Sequence, residues 1–263
     1  MKRRKGMKHL ILCTAGFLMM TTVAFAGHPL VTDDTGTAGK GNGQVEIGVA
    51  FFHDKDEVDE ATTIEAKGGE TAVGFAVGFL ENLDIVLGVP YIWFHVDEND
   101  VCMDREDGLS DISLDLKWRF FERDGWSVAL KPGISLPTGD DDKGLGAGRA
   151  AYRMFFISTK EFEPAAVHLN LGYIRNENKA DERLDLWHVS VAAEVEVVKD
   201  LKLLSDVGVE RSPVKGSDNH PSFALAGLSY DVSERITLDM GIRFGLTSSE
   251  DDVQYLVGMT INF

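Results

Sequence analysis

Between Asp111 and Phe120 every second residue is apolar. Ile112, Leu114, Leu116, Trp118 and Phe120 alternate with Asp111, Ser113, Asp115, Lys117 and Arg119. A repeat of two sorts these sets onto opposite faces of a strand, whereas a helical period of about 3.6 would scatter both around its axis. The C-terminus repeats the pattern, with Val253, Tyr255, Val257, Met259, Ile261 and Phe263 on one face. Gln254, Gly258, Thr260 and Asn262 occupy the other, and Leu256 is the exception. The same test along the chain predicts twelve strands, near 43–53, 70–80, 83–95, 109–121, 125–137, 147–159, 164–175, 184–198, 200–211, 221–231, 235–247 and 252–263.

The predicted connections alternate in length. Those near 81–82, 122–124, 160–163, 199–200 and 233–234 are tight; those near 53–69, 96–108, 138–146, 176–183 and 212–220 are long and polar. Only 247–251 is shorter than its place in the series predicts. Short turns on one side and long loops on the other, with an even strand count and both termini periplasmic, describe an outer-membrane barrel. The outward aromatics agree. Phe79, Trp118, Phe120, Trp126, Phe156, Tyr230 and Phe263 fall near the periplasmic strand ends, and Phe51, Tyr91, Trp93, Tyr152, Tyr173, Trp187 and Tyr255 near the extracellular ends. Amphipathic rings favour the two lipid–water interfaces, whereas a soluble sandwich would bury them mid-strand. The fold class expected is therefore all-β, a transmembrane antiparallel up-and-down barrel over residues 43–263, with Phe263 as an assembly signal.

Residues 1–26 read as a removed export signal. Lys2, Arg3, Arg4, Lys5 and Lys8 are basic, residues 10–24 are apolar, and Ala24-Phe25-Ala26 offers a small-x-small cleavage site. Cys13 lacks the small residue that lipidation needs before it, which leaves Cys102 alone in the mature chain and excludes an internal disulfide. Removing the five basic residues takes the formal charge from −17 to −22, which argues against nucleic acid as a partner. No later stretch reaches the roughly 18 apolar residues of a spanning helix, so only a barrel could cross a membrane.

About twelve strands enclose a narrow lumen. Its lining candidates are Asp111, Asp115, Lys117, Arg119, Lys131, Arg149, Arg153, His168, His188, Glu194, Glu196, Asp239 and Arg243, with Lys202, Asp206 and Glu210 at further inward positions. Their mixed signs suit either a salt-bridged closure or a wet wall. Residues 27–42, with His28, Asp33 and Asp34, are expected either to fold into the lumen as a plug or to remain a periplasmic strap. Acidic clusters at 54–60, 97–107 and 140–142 could hold divalent cations against lipopolysaccharide, but lack EF-hand spacing and read better as solvated loops. His168, His188 and Ser190 share an inward face, yet neither G-x-S-x-G nor H-E-x-x-H occurs, and a triad also needs an orienting group and an oxyanion site. Met154, Met240 and Met259 face outward as lipid packing. No catalytic residue and no cofactor is expected.

Several motifs carry a family resemblance. The mature chain opens Gly27-His28-Pro29-Leu30-Val31-Thr32-Asp33-Asp34-Thr35-Gly36. Asn82-Leu83-Asp84, Gly88-Val89-Pro90-Tyr91, Gly108-Leu109-Ser110-Asp111, Lys117-Trp118-Arg119-Phe120, Leu136-Pro137-Thr138-Gly139-Asp140 and Gly144-Leu145-Gly146 follow. Together these resemble the outer-membrane transporter family of the meta-pathway of phenol degradation group; Ser110 departs from the glycine more usual there. The resemblance implies a barrel in the bacterial outer membrane that passes small hydrophobic or aromatic molecules, with membrane lipid, lipopolysaccharide and a small solute as partners. The alternative is a structural or adhesion-type barrel whose acidic loops bind cations, lipopolysaccharide or a partner. The sequence leaves the oligomeric state open.

Overall fold

The computed structural model describes residues 28–59 and 61–263; the expected signal, including Cys13, lies outside the described residues, as does Glu60. Thirteen strands follow in chain order: β1 (Gly43–Asp59), β2 (Thr62–Leu80), β3 (Leu83–Glu98), β4 (Val101–Leu109), β5 (Ile112–Arg123), β6 (Trp126–Leu136), β7 (Ala151–Phe162), β8 (Ala165–Arg175), β9 (Asp185–Val198), β10 (Leu201–Glu210), β11 (Ser222–Ser233), β12 (Ile236–Gly245) and β13 (Val253–Asn262). All pairings are antiparallel, and β1 pairs with both β2 and β13, so twelve strands close into a ring. The seam ends on a reciprocal pair, Gly43 N donating to Phe263 O at 2.8 Å and Phe263 N to Gly43 O at 2.9 Å. Closure leaves no unpaired edge to face lipid.

β4 is the strand outside the ring. The first half of β3 pairs with β5, from Leu83↔Trp118 to Gly88↔Ser113, and its far half pairs with β4, from Tyr91↔Leu109 to Glu98↔Val101. β1 and β2 likewise stay paired as far as Asp59↔Thr62. The long loops expected at 53–69 and 96–108 are thus paired hairpin extensions, and among the described residues their acidic side chains other than Asp100 stand on strands. The physical reason is a continued alternation masked by charge. Ile64, Ala66, Phe94 and Val96 point inward with Phe52 and Ile92, and Leu145 from the 137–150 loop packs among them. Burying this cluster extends the sheet where polarity alone reads as loop.

Along β3 to β13 the two faces separate cleanly. Outward positions carry exposed Leu87, Leu114, Leu116, Met240 and Val257, bounded by exposed aromatics such as Trp118 and Phe263 at one end and Tyr152 and Tyr255 at the other. A contiguous apolar belt of this kind would associate in water; facing acyl chains it is the favourable surface. No helix among the described residues is long and apolar enough to cross a membrane. Inward positions are buried and largely polar: Asp84, Asp115, Lys117, Lys131, Arg153, His168, Asn170, His188, Asp206, Asp239 and Arg243.

Candidate functional site

The barrel interior is built around residues 28–42. Thr32 sits against β9 and β10: its N–H donates to Asp206 Oδ2 at 2.8 Å, and its hydroxyl lies 2.6 Å from Asp206 Oδ1 and 2.7 Å from Ser190 Oγ. Asp33 sits between two lysines, 2.8 Å from Lys117 Nζ on β5 and 2.7 Å from Lys131 Nζ on β6. Asn170 on β8, with its amide oriented to satisfy both partners, accepts from Asp33 N at 2.6 Å and donates to Asp33 O at 2.9 Å. Thr35 N donates to Thr159 Oγ1 on β7 at 3.1 Å, and the Thr35 hydroxyl meets Ser127 on β6. Four consecutive residues thereby touch every strand from β5 to β10.

The segment's ends are fixed as firmly. The His28 ring bonds Asp239 on β12, and its bulk fits only because Gly48 and Gly258 are bare; a Cβ on either would come within 2.6 Å of the ring. At the other end Ala38 N donates to Asp84 Oδ2 at 2.8 Å, Gly41 N to Gly78 O at 2.9 Å and Gly78 N to Asn42 O at 3.0 Å. A Cβ on Gly78 would fall 1.8 Å from Gly39 O, so that strand position must be glycine for the segment to pass.

Other lining candidates are held by partners on the wall or its loops. Arg153 on β7 holds Asp115 on β5 in a bidentate fork, Nε to Oδ1 at 2.7 Å and Nη2 to Oδ2 at 2.5 Å. The fork spans the intervening strand over Gly133, where a Cβ would lie 1.7 Å from Asp115 Oδ1. Arg243 pairs with Glu250 at 2.6 Å and lies over the Phe223 ring, and Lys202 reaches Glu194 at 3.1 Å. His168 meets Thr159 at 2.9 Å.

Four candidates lie apart from this network. Arg119 turns to Glu122 at 3.2 Å, and Glu196 accepts from the turn amide of Asp200 at 3.3 Å. Arg149 is exposed in the loop before β7, and Asp111 accepts from Gly139 N and Ala147 N, both at 2.9 Å, to hold that loop. Burial pushes the Asp111 carboxyl above its ordinary value despite those amides. Thr32, Thr35, Asn170, Ser127 and Asp84 are not among the lumen or plug candidates that the sequence offers, although Thr32, Thr35 and Asp84 stand in the motifs of the family resemblance. Alternation could have flagged the inward positions of Asp84 and Asn170; nothing periodic marks the two threonines.

His188 also acquires the orienting carboxylate that the sequence did not reveal: Glu210 Oε2 lies 3.3 Å from Nδ1, and Ser190 Oγ lies 2.9 Å from Nε2. The Thr32 hydroxyl reaches both Asp206 Oδ1 and Ser190 Oγ, so Ser190, with His188 behind it, is part of the contact that binds residues 28–42.

The family described as Putative MetA-pathway of phenol degradation matches residues 26–263. The chain belongs to that family. No curated protein matches it by sequence. Among solved structures, the COG4313 outer membrane channel from Pseudomonas putida F1 is 13% identical with a TM-score of 0.68, covering 88% of this chain and 98% of that one. The KdgM porin is 9% identical with a TM-score of 0.55, covering 83% and 99%. The translocator domain of the autotransporter NalP from Neisseria meningitidis is 13% identical with a TM-score of 0.53, covering 84% and 88%. The fold is that of bacterial outer-membrane barrels, and that membrane is where this family member resides. Since a channel, a porin and a translocator share this fold, it does not identify a cargo.

Proposed function

We propose that the protein is a passive outer-membrane channel for small hydrophobic or aromatic solutes, with residues 28–42 serving as a plug in its lumen. The observation that carries this reading is the run from Thr32 to Thr35, bonded to inward side chains on six successive strands, β5 to β10. Once the plug shifts, Asp115, Lys117, Lys131, Arg153, His168 and His188 line the path. Planar-bilayer conductance tests the plug: deleting 28–40 is expected to raise single-channel conductance several-fold, and an unchanged value overturns it. Proteoliposome swelling tests the cargo, with phenols entering faster through the deletion variant than through empty vesicles. The second reading, a structural or adhesion barrel, is favoured by the acidic hairpins that β1 to β4 carry beyond the aromatic belt. It would be supported if neither conductance nor swelling appeared.

A further inference from the structure

The β3–β4 hairpin gathers an imidazole, a carboxylate and a thiol on its outer face. His95 Nε2 lies 2.9 Å from Asp97 Oδ1, and His95 Nδ1 lies 3.8 Å from Cys102 Sγ. One donor atom from each residue can be chosen so that all lie within 4.8 Å of one another. We propose that His95, Asp97 and Cys102 form a site for a borderline-soft divalent cation of the Zn²⁺ class, with a coordination position left for water or an external anion.

The backbone is arranged to make this cluster. Pairing runs regularly to Val96↔Asp104 and then jumps to Asp97↔Cys102, so Met103 is bulged out of the ladder. Had the register continued unshifted, Met103 would oppose Asp97, and Cys102 would oppose Glu98 on the other face. Bulges re-aim side chains in this way, and they recur beside functional sites. The hairpin then closes through Asn99 and Asp100, both left-handed at φ 49° and 62°, as a two-residue turn of the type I′ kind requires. Asp97 also stands opposite Glu65 on β2, a like-charge cross-strand pair that a bound cation would relieve. Lys67 and His53, each 2.8 Å from Glu65 Oε1, offset part of that repulsion and occupy the carboxylate.

The donor set chooses the metal. A thiolate and an imidazole disfavour Ca²⁺ and Mg²⁺, which take oxygen, and suit Zn²⁺, whose sites combine sulfur, nitrogen and carboxylate oxygen. Three protein ligands leave the fourth tetrahedral place open. Access is direct, since Cys102 is exposed and unpaired with any other cysteine among the described residues, and the His95 side chain is 38% exposed. His95 follows Trp93 by two residues on the outward face, so the site stands just beyond the extracellular aromatic band. Anionic groups of the outer leaflet could reach its open position there.

The test uses the full protein, purified in detergent and stripped with a chelator, with Co²⁺ as the probe. Saturation at one equivalent, with a thiolate-to-cobalt charge-transfer band displaced by Zn²⁺, is expected for the wild type. Cys102→Ser should abolish the band, and His95→Ala and Asp97→Asn should each weaken Co²⁺ binding by at least about ten-fold. Zn²⁺ should also slow alkylation of Cys102 in the wild type and leave the rate unchanged in His95→Ala. Heat-modifiable gel mobility reports that each variant retains its barrel. Either of two results overturns the proposal: a folded wild type without the band, in which His95 and Asp97 serve only as an ion pair, or a band that persists in Cys102→Ser or in both ligand variants.

Discussion

Asp33 is one carboxylate shared by two buried ammonium groups, Lys117 and Lys131. Removing a member of a buried ion cluster leaves uncompensated charge and costs about 3–5 kcal/mol, whereas an exposed pair is worth about 0–1 kcal/mol. Asp34, whose side chain is 44% exposed, contacts the same Lys117 at 3.1 Å and belongs nearer the second class. Asp33→Asn is therefore expected to undock residues 28–42 and raise their cleavage rate in micelles at least ten-fold, with Asp34→Asn close to wild type; equal rates in the two variants would contradict this assignment. Gly133 offers a second residue-scale test. Its absent side chain is the space occupied by the Asp115–Arg153 fork, so Gly133→Ala should lower the urea midpoint of the barrel, by an overpacking cost of about 1–3 kcal/mol. The charges of Asp33, Lys117 and Lys131 were each legible in the sequence. Their meeting was not, because sequence separations of 84 and 98 residues carry no local signal.

Three cross-strand pairs recur among the elements: Phe52↔Gly68, Phe155↔Gly172 and Phe223↔Gly208, each with the ring lying over a bare glycine inside the wall. The ring covers backbone that glycine leaves open, and the glycine gives an inward ring room to lie flat. A Cβ on Gly172 would come 2.5 Å from the Phe155 ring, so Gly172→Ala should swing that ring into the lumen. Thermal unfolding by near-ultraviolet dichroism would detect the loss, and an unchanged midpoint would mean the ring moves without cost. The 176–184 loop provides a pH test. Burial pushes the Glu182 carboxyl above its ordinary value, against the hydrogen bond from Asn176 Nδ2 at 3.1 Å. A folded-state pKa raised above the unfolded one gives stability that is present below the unfolded value and lost as pH rises through the folded one. Amide exchange in this loop, corrected for intrinsic rates, should therefore quicken from acidic to neutral pH in the wild type, and less so in Glu182→Gln. At this scale the alternation located the strands. It stopped short at 53–69 and 96–108 because the apolar residues there are interleaved with acids, and their burial depends on Leu145 arriving from another loop.

The whole molecule closes on its last residue. Phe263 supplies both hydrogen bonds of the final seam pair, and its ring covers Gly43, where a Cβ would lie 2.6 Å from the ring carbons. Deleting Phe263 should slow folding into lipid vesicles and lower the yield of the heat-modifiable form; a wild-type rate would show that the seam forms without it. The sequence by itself determined that the chain is a barrel, how many strands close it and which face meets lipid. A period of two permits only one assignment of faces, and a membrane forbids an open edge. Only the tertiary structure decided where residues 28–42 lie, which strands outrun the lipid, and that β4 stands apart from the ring. The N-terminal segment has no period to read. Its polar groups find partners on strands far away in sequence, and those partners become neighbours only after the sheet has closed around them.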